Sequence, residues 1–419
     1  MKKSYRSSAV ALAASLAMVA FSSAQAFAGT PTVAQYLAND NVKTVPASQL
    51  AMGGSSFDAN LVNADYPIWT GQDQSGKNAA SLSAYQSHSS GTGRANLMNG
   101  TYQIGFSDVP LNAAGQDTAD TTAYAQIPVA LGGVSLIYNI TFDSQHVACQ
   151  SLLNQYGLNL SGVTVGHIFD GSIKSWGDSQ ITATNPKLVV TVGKTKTNCL
   201  TLSSSETIKL LSRTAGSGTT FILQDYLNAV DSANFPYPTS NAFSAAVATE
   251  SNSAAMAPAV AGLPGAFGYV EQGYGIQNGL KSALVGGVAD TVSNVAADAT
   301  QGLKLINAST CNSFSTDQPT TYVAANVNTQ CFTIVNSGKG YPIAGFSYAI
   351  VAKHQADQAT AETIAKFLLF LAYNGQGNNA INAYYTPLPA AVQAVALTKL
   401  KEITYSRNGV ATQALSTTL

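Results

Sequence analysis

Charge is scarce in this chain of 419 residues. Only 10% of its residues are Asp, Glu, Lys or Arg, and 46% are hydrophobic. Disorder needs the opposite balance, so an acidic or basic disordered tail is excluded. Basic residues do not outnumber acidic ones: Lys and Arg total 20, Asp and Glu total 21, and the formal net charge is −1. No overall positive field gathers a phosphodiester backbone, which excludes a polybasic nucleic-acid binder. Histidine is rarer still. His88, His146, His167 and His354 are the four, and none lies in H-E-x-x-H or an i, i+4 pair. There is no G-x-S-x-G elbow, no G-x-x-x-x-G-K-[ST] loop, and no G-x-G-x-x-G after a strand. The commoner signals of catalysis are therefore missing. No enzyme activity, metal or cofactor is expected.

Long hydrophobic runs are also missing beyond the start of the chain. Lys2, Lys3 and Arg6 form a positive segment, residues 9–21 are small and apolar, and Ala26-Phe27-Ala28 is an A-x-A site. Residues 1–28 read as a secretory signal peptide cleaved after Ala28, too short to span a bilayer. Removing 28 of 419 residues leaves 391. Three positive and no negative charges go with them, so the net charge falls from −1 to −4. No later segment reaches about 18 uninterrupted apolar residues, so the mature chain is expected to be soluble. No Cys near the cleavage site offers a point for lipid attachment.

Cysteine is limited to Cys149, Cys199, Cys311 and Cys331, without the close pairs of a zinc site. An even count in an exported chain suggests two disulfides. Three connectivities are open, as are four free thiols. Nearest-neighbour closure favours Cys149–Cys199 and Cys311–Cys331.

The length suits two domains or one large one. Strand and helix signals alternate. Residues 127–140 are apolar and interrupted by Gly132-Gly133, 187–192 form a β-branched run, and 207–211, 266–270 and 343–351 read as strands. Residues 219–230 have helical spacing after Gly216-Ser217-Gly218. Ile364, Phe367, Leu368 and Leu371 fall on one helix face, with Gly375 as its stop, and residues 390–402 form a last helix. This alternation predicts an α/β fold with largely parallel sheets. Ser, Thr, Asn and Gly fill residues 71–93 and 309–340, and the latter read as a surface excursion. No Pro-rich linker divides the chain, which leaves room for domains that exchange segments.

Three small, hydroxyl-rich turns stand out: Gly53-Gly54-Ser55-Ser56-Phe57, Ser89-Ser90-Gly91-Thr92-Gly93, and Arg213-Thr214-Ala215-Gly216-Ser217-Gly218-Thr219-Thr220. Small residues admit close backbone approach, and hydroxyls donate. A helix beginning at each turn would aim free N–H groups and its positive dipole end at a ligand. Arg213 adds a fork of donors that suits a tetrahedral oxyanion. Any one such turn is also an ordinary N-cap. Three in one chain point to an anion site.

These turns resemble those of the periplasmic phosphate-binding proteins of bacterial phosphate ABC importers. The likeness runs in order through residues 54–59, 85–110 with a GT-x-x-x-G-x-SD-x-P pattern, 127–134, 168–176, 213–221, 265–274, 341–351 and 385–389. The resemblance implies two α/β lobes of the type II periplasmic-binding-protein class, joined by crossing strands near 127–134 and 341–345. One lobe would hold 29–132 and 343–419, the other 133–342. Phosphate would sit between them, bound by Ser56, the backbone N–H of Phe57, Ser90, Asp108, Arg213, Ser217, Gly218 and Thr219. Almost all are donors; Asp108, ionised, only accepts and so asks for a ligand that keeps a proton.

Two departures from the family pattern matter. Ala215 stands where an Asp commonly pairs with the binding Arg, which would leave Arg213 less well oriented and more available. His88 and Ser89 replace small or apolar residues; an exposed or structural His is the simpler reading of His88. Trp69, Trp176 and the 19 Tyr read as packing residues rather than ligand platforms. Lys399, Lys401 and Arg407 read as a solvated face. The implied protein is an exported, periplasmic, high-affinity binder of inorganic phosphate that serves an inner-membrane ABC importer permease and works as a monomer. An extracellular phosphate scavenger or surface protein is the alternative, and a phosphatase on the same scaffold a more distant one.

Overall fold

In the computed structural model, residues 32–37, 41–111, 123–236, 238–305 and 339–415 are described. The segment read as a signal peptide, the expected Cys311–Cys331 pair and nearly all of residues 309–340 lie outside them.

One curled sheet organises the molecule. Its strands are β1 (Met52–Ser55), β2 (Gln86–His88), β3 (Ile104–Ser107), β4 (Tyr124–Tyr138), β5 (Lys209–Arg213), β6 (Ala248–Glu250), β7 (Ala266–Glu271), β8 (Lys281–Ser282) and β9 (Ala344–Ala352). The order is β2-β1-β3-β9-β4-β7-β5-β6, with β8 also on β4. Both flanks are parallel: β1 pairs β2 and β3, and β5 pairs β6 and β7. The centre is antiparallel, because β9 opposes β3 and β4 and β7 opposes β4. The expected sheet is thus parallel only on its flanks. A long central strand serves both, and its neighbours return against it.

That strand is β4. Residues 124–133 pair with β9, from Tyr124↔Ala352 to Gly133↔Ala344. Residues 134–138 pair with β7, from Val134↔Glu271 to Tyr138↔Phe267. Gly132-Gly133 does not interrupt the strand; it marks the change of partner. Every residue from Ala125 to Tyr138 is buried, as expected of a strand covered on both faces.

The helices that matter for the site are α1 (Ser56–Gln72), α2 (Ser90–Met98), α3 (Gly218–Val230), α4 (Ser253–Gly262), α5 (Gln358–Ala372) and α6 (Ala390–Leu400). The α5 stripe of Ile364, Phe367, Leu368 and Leu371 is fully buried. The helix ends at Ala372, where Gly375 N–H donates to the Phe370 carbonyl. Trp69 and Trp176 are buried, Trp69 edge-on to Phe367 and Trp176 edge-on to Phe267. Cys149 and Cys199 are joined by a disulfide and completely buried. Lys399 pairs with Glu402, and Lys401 lies over the Tyr36 ring.

Candidate functional site

The first turn is not a loop. Gly53 and Gly54 belong to β1, and α1 begins directly after Ser55. Gly54 is required there: its φ is +139°, and a Cβ would stand 2.2 Å from the Phe106 carbonyl oxygen. Its absence lets α2 lie close on β1 and β3. A helix starts at each of the three turns. Ser55 caps α1 by accepting from Phe57 N–H, Ser89 caps α2 by accepting from Thr92 N–H, and Ser217 caps α3 by accepting from Thr220 N–H. Each cap satisfies one orphan donor of its helix end. The Phe57 N–H is therefore already donated within its own turn, 3.1 Å from Ser55 Oγ.

The turns converge although they are far apart in sequence. Gly91 N–H donates to the Gly216 carbonyl at 2.9 Å, tying the second turn to the third. Arg213 Nη2 donates to Ser56 Oγ at 3.3 Å, tying the third to the first. Gly218 faces Ser90 and Asp108 so closely that a Cβ would stand 2.2 Å from Ser90 Oγ and 2.3 Å from Asp108 Oδ2. Ser56, Ser90, Asp108, Arg213 and Gly218 meet in this way, and their chain neighbours Phe57, Ser217 and Thr219 are buried beside them.

Arg213 ends β5 and is 1% exposed. It has no carboxylate partner among the described residues, as Ala215 led one to expect, yet it is not loosely held. Nη1 donates to Ser253 Oγ at 2.8 Å and Nη2 to the Ser251 carbonyl at 3.3 Å. Hydroxyls and a carbonyl do the orienting without neutralising the charge. Nε is buried with no partner among the described residues. Among the described residues the hydrogen bonds of Arg213 go only to neutral groups, and it acts on the nearby Asp108 through its charge alone, which leaves donor capacity for an anion between them.

Asp108, which follows β3, is 2% exposed. Its Oδ2 accepts from Ser55 Oγ at 2.7 Å and from Ser90 Oγ at 3.4 Å, and its N–H donates to Ser90 Oγ. On the other side, Ser347 Oγ lies 2.6 Å from Asp108 Oδ1 and 2.6 Å from Asp58 Oδ2. Burial pushes both carboxyls up from the ordinary range. For Asp58 the charge of Asp108 adds to burial; for Asp108 the bonds from Ser347 and Ser55 and the charge of Arg213 pull back. Glu271, at the end of β7, accepts from Thr219 Oγ1 at 2.7 Å and raises both through its charge.

Ser55, Asp58, Ser253, Glu271 and Ser347 were not singled out as site residues. Ser347 had a signal: it is the only hydroxyl-bearing Ser in the apolar run 343–351. Ser253 had none, since it lies in an unremarkable Ser/Asn stretch and reaches Arg213 only through the fold. His88 is exposed at the end of β2, in keeping with the simpler reading.

The sequence profile of the PBP superfamily domain matches residues 41–374. The chain belongs to the PBP superfamily. A phosphate-binding protein PstS of Xylella fastidiosa strain Temecula1 is 28% identical over 355 residues, covering 81% of this chain and 82% of that one. A phosphate-binding protein of Stenotrophomonas maltophilia superposes with a TM-score of 0.53 at 21% identity, covering 84% of this chain and 94% of that one. A high-affinity periplasmic phosphate-binding protein bound with phosphate superposes with a TM-score of 0.56 at 20% identity, over 84% and 93%. These structures establish the fold as the type II periplasmic-binding-protein kind. In this PBP domain the sheet carries β1, β3 and β5 to one place, and the turn leaving each contributes to the cluster.

Proposed function

We propose that this PBP-superfamily protein binds inorganic phosphate between two lobes, residues 29–132 with 343–419 and residues 133–342. It then delivers the ion to the permease of an inner-membrane ABC importer. The observation that carries this reading is the buried Arg213 beside an acceptor, Asp108, where the ends of three helices meet. Ser56, Ser90, Arg213, Ser217, Gly218 and Thr219 supply hydroxyl, guanidinium or backbone donors to the phosphate oxygens, and Phe57 lines the first turn. Asp108 Oδ2 accepts a hydrogen bond from the O–H that phosphate keeps near neutral pH. The 132–133 step in β4, with the chain entering β9, is the place for a hinge that closes the lobes.

The PstS relatives support export to the periplasm. Among the described residues, no helix is long and apolar enough to cross a membrane. The reading is of a binder without catalysis.

The test is calorimetric titration with phosphate and with sulfate near neutral pH. Sulfate has no proton to offer Asp108, so its oxygen would meet the carboxylate lone pair with no hydrogen between them. A lost buried hydrogen bond of this kind costs roughly 1–3 kcal/mol, so preference for phosphate should be at least about fivefold. Asp108→Asn supplies amide donors and removes the charge, and should gain measurable sulfate binding. Equal binding of both ions by the wild type, or unchanged sulfate rejection in the variant, removes Asp108 from the selectivity role. Steady release of phosphate from a chromogenic ester would replace the binder reading with an enzyme.

A further inference from the structure

Ser347 Oγ stands 2.6 Å from a carboxylate oxygen of Asp58 and 2.6 Å from one of Asp108. A hydroxyl has one hydrogen. It can donate to one of these oxygens, and the other contact, at that length, is bonding only if the second carboxyl donates to Ser347. Two ionised carboxylates on one buried hydroxyl would set a lone pair against a lone pair. One proton therefore resides on the pair.

The surroundings say which acid holds it. Asp108 accepts from Ser55 and Ser90 as well as Ser347 and lies near Arg213; burial and the Glu271 charge still raise its carboxyl, but these donors and the guanidinium pull back towards the charged form. Asp58 is completely buried in α1. Among the described residues Ser347 is its hydrogen-bond partner, and Oδ1 has none. The groups facing it offer no cation: Asp108 after β3, Glu271 on β7, Tyr85 before β2 and Tyr385 before α6. With Asp58, Asp108 and Glu271 all charged, Arg213 would leave two uncompensated negative charges where an anion is to bind.

We propose that Asp58 is held as a neutral acid that donates to Ser347, which in turn donates to Asp108. Asp58 is then a positioning residue. The relay keeps Asp108 ionised, occupies its Oδ1, and leaves Oδ2 as the acceptor on the side of Ser90 and Gly218. This deepens the phosphate reading and rests on it for its functional part: a neutral Asp58 lets a site with three carboxyls accept an anion that still carries a proton. The upward push that burial gives Asp58 agrees with the direction of the relay.

Two arms of the test need no phosphate. The infrared spectrum of the wild-type protein at neutral pH should contain a protonated-carboxyl carbonyl band that is lost in Asp58→Asn. The stability arm follows from linkage. An acid whose folded-state pKa is raised binds more protons folded than unfolded. Stability is then lost as pH rises from about 4, its unfolded value, towards the folded value. The unfolding constant of the wild type should therefore grow relative to Asp58→Asn by up to about tenfold per pH unit in that window. An identical carboxyl band in both proteins, with parallel stability profiles, overturns the proposal. The third arm is phosphate titration: Asp58→Leu, which removes the donor to Ser347, should weaken binding by about tenfold or more, and Asp58→Asn should restore most of it. Equal affinities of the Leu and Asn variants would overturn the relay. Failure of the wild type to bind phosphate at all would overturn the function proposed above, while the first two arms still decide where the proton resides.

Discussion

Gly218→Ala should weaken anion binding with little effect on the ligand-free fold. Gly218 is the first residue of α3, where alanine is a better helix former than glycine, so the backbone has no objection to the change. The obstacle lies across the site. The new methyl carbon would stand 2.2 Å from Ser90 Oγ, 2.3 Å from Asp108 Oδ2 and 2.6 Å from Asp108 Cβ. All three are far inside contact distance, and both neighbours are buried and hydrogen-bonded, so neither can swing aside cheaply. Relief requires the α3 end to withdraw from the turns that carry Ser90 and Asp108. Overpacking of this kind typically costs about 1–3 kcal/mol. In the two-lobe reading an open form avoids the clash, and the cost falls on closure alone. Phosphate affinity should then drop by roughly 5- to 150-fold. The assay is calorimetric titration paired with thermal unfolding, with and without phosphate. The wild type should be stabilised by the ligand as mass action requires, and the variant should lose most of that shift while its ligand-free midpoint stays near the wild type's. Unchanged affinity would refute the close approach of the turns. A large loss of ligand-free stability would refute the idea that the clash is confined to closure.

Arg213→Ala should weaken phosphate binding by about one to two decades, the worth of a charge-assisted hydrogen bond of roughly 1.5–3 kcal/mol. Ala215→Asp should not tighten binding, because Ser56, Ser253 and the Ser251 carbonyl already orient the guanidinium; titration of both variants checks this, and a large gain from Ala215→Asp would show that the guanidinium is under-positioned. Replacing Cys149 and Cys199 together by Ser should cost about 4 kcal/mol in denaturant unfolding, from a chain-entropy argument for residues separated by 50. Alkylation of either thiol in denatured, unreduced protein would contradict the bond.

The local features of this protein follow from its sequence. Ser55, Ser89 and Ser217 precede small residues that accept helix starts, so the three helix N-termini could be read from spacing and composition. So could β4, β7, β9 and the α5 face, since continuous apolar runs and 3.6-residue periodicity report burial directly. The Cys149–Cys199 bond belongs to the connectivity that nearest-neighbour closure favours among three, and the fold contains it, with both sulfurs buried. The eight candidate residues were legible because their turns carry a family pattern, not because the chain reveals that 213 meets 56 or that 218 meets 108. Tertiary structure decided those meetings, through a sheet in which β4 changes partner between Gly133 and Val134 and brings β3 and β5 to one site. It also decided the partners of the site residues. Ser253 lies 40 residues from Arg213, and Ser347 lies 239 from Asp108 and 289 from Asp58. Hydrogen bonding at such separations depends on where the backbone returns, and residue type alone does not encode it. The protonation of a buried acid depends on the same packing, because the solvation lost and the donors gained are set by neighbours that only the fold supplies.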